Sequence, residues 1–317
     1  MRTLTIGAND AGQRLDKFLT KHFKTMPQSL MYKYIRKKCI KVNGKKCSID
    51  TRLCEGDVLT FFIKDEFFER QEETVYDFMK APSKLDIVYE DDNIMLLNKK
   101  PGLIVHPDET YHFDSLIARV QHYLYDKGEY DPAQENSFAP ALVNRIDRNT
   151  GGIVIAAKNA ASLRILNRKL RDRELEKTYL CAAVGVFERK EALLTDYLEK
   201  NEKQNKVYIY KKPTENSKSI KTRYRVIAEK DGLSLLEVDL LTGRTHQIRA
   251  HLAYYGHPLL GDGKYGKNEI NRRYGCKWQA LYSHKLTFSF TTDGEELQYL
   301  SGKTFTAPDV WFQQLFI

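Results

Sequence analysis

Residues 143–157 read VNRIDRNTGGIVIAA: a charged and amide-rich run, two glycines, then five apolar residues. The apolar half has the short, β-branched composition of a buried strand. The polar half sets Asp147 between Arg145 and Arg148, which neither a strand nor an ordinary turn requires. Two arginines at this range can hold a carboxylate ionised and oriented, because a nearby cation favours its charged form. Gly151 and Gly152 let the backbone turn sharply or pass close to another segment. A carboxylate presented in this way serves as a nucleophile, a base or a salt-bridge anchor, and the stretch alone leaves all three open.

Outward from this strand, the chain beyond Leu85 alternates short strand patterns with turns. DIVYEDDNIMLLNKKPGLIVHP predicts a strand, an Asp-Asn turn, a second strand, a Pro-Gly turn and a short third strand ending at His106-Pro107. Further strands are expected at GGIVIAAK, TYLCAAVGV, TRYRVIAE, SLLEVDLL and KLTFSF. A helix is expected over 160–173, where Leu163, Leu166 and Leu170 share one face. Many strands with few helices between them predict an α+β fold with a mixed, largely antiparallel sheet. A doubly wound parallel fold would alternate strand and helix regularly, and this chain does not.

The chain of 317 residues has room for two domains. Hydrophobic residues at 42% and aromatics at 11% suit a packed globular protein. No apolar run approaches the roughly 18 residues that a membrane span needs. The polar start MRTLTIGANDAGQR has no apolar stretch of the secretory kind. Five cysteines with no CxxC pair argue against a disulfide scaffold or a zinc knuckle, so a reducing cytoplasm is the expected setting. The net charge of +9 is confined to one region. Residues 1–64 hold 14 Lys and Arg against 5 Asp and Glu, whereas the remaining 253 residues balance at 37 of each. Such asymmetry points to a polyanion-binding module on a neutral body, with nucleic acid as the partner.

Within that basic region, RLDKFLTKHFK places Leu15, Phe18, Leu19 and Phe23 at helical spacing. A second helix is expected from about Gln28, with Leu30, Tyr34 and Ile35 inward and Lys33, Arg36, Lys37 and Lys38 outward or at its end. KVNGKK supplies Asn43-Gly44 for a hairpin turn, and DVLTFFI a further strand. Two short helices, a hairpin and clustered lysines resemble the S4 RNA-binding domain, over residues 12–64. That resemblance implies a small α/β unit in which Arg36, Lys37, Lys38, Lys41, Lys45 and Lys46 contact RNA phosphates. The acid-rich 65–85 then reads as a linker, and 86–317 as the catalytic domain.

Other motifs resolve to plainer readings. LGDGKYG formally contains GxGxxG, but no βαβ unit surrounds it, so its glycines are expected to form a tight loop. His246, His251 and His257 are spaced by five and six residues, which does not gather them for a metal, so a structural or RNA-facing role is expected. There is no GxSxG elbow and no Walker A loop. In TGRTHQIR, residues 242–249, an apolar strand runs into a turn carrying two arginines, a His and a Gln before a helix. That density of donors suits anion recognition.

Taken in order, these segments resemble the RluA-type pseudouridine synthases. ALVNRIDRNTGGIVIAAK looks like that family's HRLDxxTSGLLLLAK motif, Glu176-Lys-Thr-Tyr179 like its KxY motif, TGRTHQIR like TGRTHQxR, and GHPLLGD like GHPxLGD. The resemblance spans about residues 86–290 and implies the pseudouridine synthase fold. It implies isomerisation of uridine to pseudouridine with no metal or redox cofactor. Asp147 matches the catalytic aspartate, as nucleophile or base at the sugar. Tyr179 matches a tyrosine that packs on the target base and helps remove the C5 proton, and Arg249 an arginine that pairs with the carboxylate. The target uridine is expected to leave its stack. Arg145 would then fill the vacated space or hold a phosphate, and Arg244 and His246 would face the RNA. Asn144 stands where the family has His, and one glycine of the pair replaces its usual Ser. The lost titratable group means Asn144 is not expected to carry a proton.

Two rivals are weighed against this. A non-catalytic ribosome-assembly factor would not need Asp147, Tyr179 and Arg249 together. A glycosidic hydrolase would need a second carboxylic acid beside Asp147, and none is evident in the motifs. The expected partner is RNA, ribosomal ahead of transfer RNA, acted on by a monomer with no membrane contact.

Overall fold

The structure, a computed structural model describing residues 1–68, 76–108 and 113–317, contains two sheets. The N-terminal unit comprises β1 (Arg2–Thr5), α1 (Leu15–His22), α2 (Gln28–Arg36), β2 (Ile40–Val42), β3 (Lys45–Lys46) and β4 (Val58–Phe61). Its antiparallel sheet has the order β1-β4-β2-β3. The face read from RLDKFLTKHFK is buried: Leu15, Phe18, Leu19 and Phe23 share a core with Met31, Ile35, Leu53 and Phe61. Asn43 and Gly44 take positive φ of 50° and 72°, as a two-residue hairpin turn of this hand requires.

This unit extends past the 12–64 span in both directions. β1 pairs with β4 along its whole length, and Ile6 lies in the core. Four residues of RTLT are too short to carry a strand pattern of their own. Beyond residue 64, Phe67 and Phe68 pack onto the same core. Of the segment read as a linker, 69–75 lies outside the described residues. Its later part forms a 3-10 turn, Asp77–Lys80, whose Phe78 ring lies 5.9 Å from Tyr125 and 6.0 Å from Tyr130.

The body follows with β5 (Ile87–Glu90), β6 (Ile94–Lys99), α3 (Leu116–Asp126), β7 (Ala141–Leu142), β8 (Gly151–Ala157), α4 (Ala160–Arg171) and β9 (Leu175–Val184). Next come β10 (Glu191–Asn201), β11 (Lys206–Tyr210), β12 (Lys218–Lys230), β13 (Leu233–Leu240), α5 (Gln247–Tyr254), α6 (Asn268–Arg273), β14 (Leu281–Phe288) and β15 (Thr304–Thr306). One sheet of order β11-β10-β12-β13-β9-β14-β8-β6-β5 holds them, with β7 on β8 and β15 on β14. β8 and β14 run parallel, and the other pairings between these strands are antiparallel. The architecture is therefore α+β with a mixed, mostly antiparallel sheet.

Every residue of β8 is buried, because both faces of the sheet are covered. Ile153, Ile155 and Ala157 join the cluster beneath α4, whereas Val154 and Ala156 face the cluster that contains α3. The two glycines make the parallel contact possible. A Cβ on Gly151 would fall 2.1 Å from the Tyr282 ring, and one on Gly152 would fall 2.2 Å from the Ser283 carbonyl. The close neighbour that the glycines admit is thus β14.

One expected strand is missing. GLIVHP forms only an isolated bridge between Ile104 and Ser115. One of its carbonyls turns inward instead: the Lys99 ammonium donates to Leu103 O at 2.8 Å and to Lys100 O of the preceding turn at 3.2 Å, so the chain wraps round a buried lysine. α3, β10 and β11 went unread. In β10 and β11 the apolar positions are interleaved with Tyr and charged residues, whereas α3 carries Leu116, Val120 and Leu124 at helical spacing, a signal passed over in the sequence.

Candidate active site

Asp147 occupies the turn that enters β8, closed by the Thr150 N–H donating to the Asp147 carbonyl at 3.0 Å. The turn is pinned at its start by Asn144. This side chain is buried, and its Oδ1 accepts from the Ile155 N–H at 2.8 Å, as a neighbouring strand would. The position is a backbone clamp, which an amide serves without titrating.

The cation that orients Asp147 is Arg249, on α5. Its Nη1 donates to Asp147 Oδ2 at 2.8 Å. No ion pair joins Arg145 to Asp147 among the described residues, and Arg148 directs its Nε to the Gly102 carbonyl at 3.1 Å. The local arginines are exposed, so the expected flanking clamp is replaced by a long-range one. Arg249 is itself fixed from behind: Nε and Nη2 reach the two oxygens of Asp262 at 2.7 and 3.0 Å. Asp262 also accepts backbone N–H groups from Lys264 and Tyr265. Burial works against the charge on both members of the pair, yet their mutual attraction outweighs it. The Arg249 guanidinium is held above its ordinary value, and Asp262 below its own.

Exposure assigns the roles within this chain of three. The Asp262 side chain is 0% exposed and that of Arg249 8%, whereas Asp147 is 27% exposed. Only Asp147 can meet a ligand. Its Oδ1 carries no hydrogen bond among the described residues, so this is the oxygen free to react. The glycine-rich LGDGKYG is the loop that wraps Asp262, and a Cβ on Gly261 would lie 2.0 Å from the Trp278 carbonyl.

Three further side chains complete the floor. Tyr179, on β9, is buried, and burial together with the Asp147 charge pushes its phenol up to about 12. It is therefore un-ionised at neutral pH. His246 adopts a left-handed backbone, φ 53°, immediately before α5, which carries its Nε2 to 3.8 Å from Asp147 Oδ2 and its Nδ1 to 3.0 Å from the Tyr265 hydroxyl. Burial lowers this histidine to about 4 against the pull of Asp147, so it too is neutral. Lys99, at the end of β6, sits beneath the turn and donates to Arg148 O at 2.9 Å as well as to its two nearer carbonyls. Burial pushes it down to about 7, opposed by Asp147. Three carbonyl acceptors match the three donors that only the ammonium form carries.

Asp147, Tyr179, Arg249 and His246 are thus brought together. Arg145 and Arg244 are exposed, the backbone N–H of Arg244 donating to Gln247 Oε1. Arg36, Lys37 and Lys38 end α2, next to Lys41, Lys45 and Lys46 on the β2–β3 hairpin, and none of these six is fully buried. His251 bridges Thr222 and Asp196 at 2.8 and 2.9 Å, and His257 stacks on Phe187, so the three histidines diverge. Sequence reasoning passed over Lys99, Asp262 and Tyr265. The first two left a signal: a lysine closing a strand that opens with four apolar residues, and an acid following LLG.

The chain is similar to known proteins of one family. The profile described as RNA pseudouridylate synthase matches residues 93–254. Ribosomal large subunit pseudouridine synthase C of Escherichia coli is 32% identical over 304 residues, covering 93% of this chain and 90% of that protein. An RNA pseudouridine synthase of Mycoplasma capricolum is 32% identical over 318 residues, covering 99% of this chain and all of its own. Among solved structures, human RNA Pseudouridylate Synthase Domain Containing 1 shares the fold. Its TM-score is 0.54 at 22% identity, over 74% of this chain and 95% of that one. The chain belongs to the RNA pseudouridylate synthase family.

Proposed function

We propose that this protein converts specific uridines of large-subunit ribosomal RNA to pseudouridine, in the cytoplasm and as a monomer. The observation that carries the site assignment is the Asp147 carboxylate, held through one oxygen by Arg249 and open at the other. In the reaction the N1–C1′ bond breaks, the uracil turns, and C5 bonds to C1′. The proton lost from C5 is balanced by one gained at N1, so no redox partner or added water enters. Asp147 acts at the sugar, as nucleophile or base. Tyr179 packs on the base; as an un-ionised phenol it offers a ring face and a hydroxyl in place of a ready-made phenolate. Arg145 follows the flipped uridine into the gap or holds its phosphate, and Arg244 and His246 meet the RNA near the turn.

The N-terminal unit acts as an S4-like RNA-binding module, with Arg36, Lys37, Lys38, Lys41, Lys45 and Lys46 on phosphates. The large-subunit substrate is favoured by the name of the E. coli relative. The hydrolase reading loses support because Asp262, the second acid near Asp147, is fully buried and bound bidentately, so it cannot serve as a general acid.

The test is tritium release from RNA labelled at uridine C5, taken from a strain lacking the enzyme, with wild type and Asp147→Ala compared. Release by wild type alone is expected, and mapping of the product then separates ribosomal from transfer RNA. RNA binding by both proteins with release by neither would hand the chain to the assembly-factor reading.

A further inference from the structure

The N-terminal unit and the body keep separate apolar cores, so what joins them is polar. At the seam Asp10 is only 2% exposed. Its Oδ1 accepts from the Ser137 hydroxyl at 2.6 Å and its Oδ2 from Asn136 Nδ2 at 2.8 Å. Gln13 Nε2 donates to the same Ser137 oxygen at 2.8 Å. Asn9 reaches in two directions, donating to Glu135 Oε1 at 2.8 Å and accepting from the Ala160 N–H at 3.1 Å. Arg164 Nη1 donates to the Ala11 carbonyl at 2.9 Å.

The gripped residues are placed informatively. Ser137 lies ten residues before Asp147 and leads through β7 to the Asn144 clamp, whereas Ala160 begins α4, directly after β8. The N-terminal unit therefore holds the segments on both sides of the catalytic turn. Polar seams between units permit relative motion by default. Here a buried carboxylate receives directed hydrogen bonds from two side chains, and such charge-assisted bonds fix an orientation. A flexible tether would raise local concentration alone; a fixed dock also sets the register between two binding surfaces.

We propose that Asp10 is a positioning residue: through Ser137 and Asn136 it docks the N-terminal unit on the segments flanking Asp147, so that its basic face and the catalytic turn engage one structured RNA as a single surface. This rests on the reading of RNA as substrate. The ligand it implies is a folded RNA large enough to touch both units, and a short stem-loop around the target uridine would not sense the dock.

The experiment uses the full chain with Asp10→Ala and, separately, an Asn136→Ala/Ser137→Ala double variant that leaves the N-terminal unit untouched. Tritium release is measured on transcribed large-subunit ribosomal RNA and on a short stem-loop bearing the mapped uridine, and small-angle X-ray scattering reports on shape. The expected result is a KM raised about tenfold on the long RNA, an unchanged kcat on the stem-loop, and a larger radius of gyration in both variants. Equal losses of kcat on both RNAs would mark a merely structural defect and overturn the proposal, as would unchanged KM and scattering. If wild type releases no tritium from either RNA, the synthase reading fails and scattering alone judges the dock: unchanged profiles overturn it, and swollen ones sustain it.

Discussion

Arg249 touches three carboxylate oxygens with three different nitrogens, a task that only a guanidinium can perform. Lysine would keep the charge but could not bridge Asp262 and Asp147 in one geometry. Arg249→Lys should therefore lower kcat by about a hundredfold, the scale of a small misplacement of a reacting group, with RNA affinity little changed. Steady-state kinetics beside an anisotropy titration checks this, and a parallel loss of affinity would move Arg249 from orienting Asp147 to holding RNA. His246 gives a second residue-scale prediction. Its folded value near 4 lies below its ordinary 6.5, so between those pH values the folded state binds fewer protons than the unfolded one. Stability then falls as pH drops from about 6.5 towards 4, by at most about 1.4 kcal/mol per unit, and is flat above that window. Urea midpoints at pH 7 and pH 4.5 should converge for His246→Gln relative to wild type; equal slopes in both proteins would mean the ring is solvated. Asp147 was legible because acid between two arginines is odd at the head of a strand. Its partner was legible only through the motif resemblance, which pointed to Arg249; spacing alone could not, because the two lie 102 residues apart and the fold brings them together.

At the scale of elements, the strands buried on both faces were the readable ones. β6, β8 and β9 carry continuous apolar runs, β13 alternates apolar and polar residues over most of its length, and α4 carries its leucines at helical spacing. β10 and β11 lie at one end of the sheet, half exposed, and their sequences answer to solvent as much as to the core. The lost strand at GLIVHP has a different cause: the buried Lys99 takes the Leu103 carbonyl, and what pairing remains is a single bridge to Ser115. Asn144 shows the same competition resolved in favour of a strand. It supplies from a side chain the acceptor that the Ile155 N–H needs. Asn144→Ala should leave that buried N–H unpaired and lower stability by about 1–3 kcal/mol. The change should reach activity as well, since the clamp lies three residues from Asp147. Denaturant unfolding and tritium release together test it, and a variant as stable as wild type would show that the clamp adds nothing to the ladder.

For the whole molecule, the charge distribution makes the boldest claim, since all of the +9 resides in residues 1–64. That asymmetry was visible before any fold, and so were the helices α1 and α2. The seam at Asp10 was not, because its partners are ordinary Asn, Ser and Gln residues some 126 positions apart. If the basic face carries the non-specific share of RNA affinity, that share is counterion release and must scale with salt. Each phosphate contact adds about 0.7–0.9 to the slope of log affinity against log salt. Replacing Lys37, Lys38, Lys45 and Lys46 by Gln should thus flatten the slope by up to about 3.6 while leaving kcat on a short stem-loop intact. Anisotropy titrations across a potassium chloride series measure it directly. A slope that does not move would mean that these four exposed lysines face away from the RNA, and the affinity would have to come from the arginines of the body.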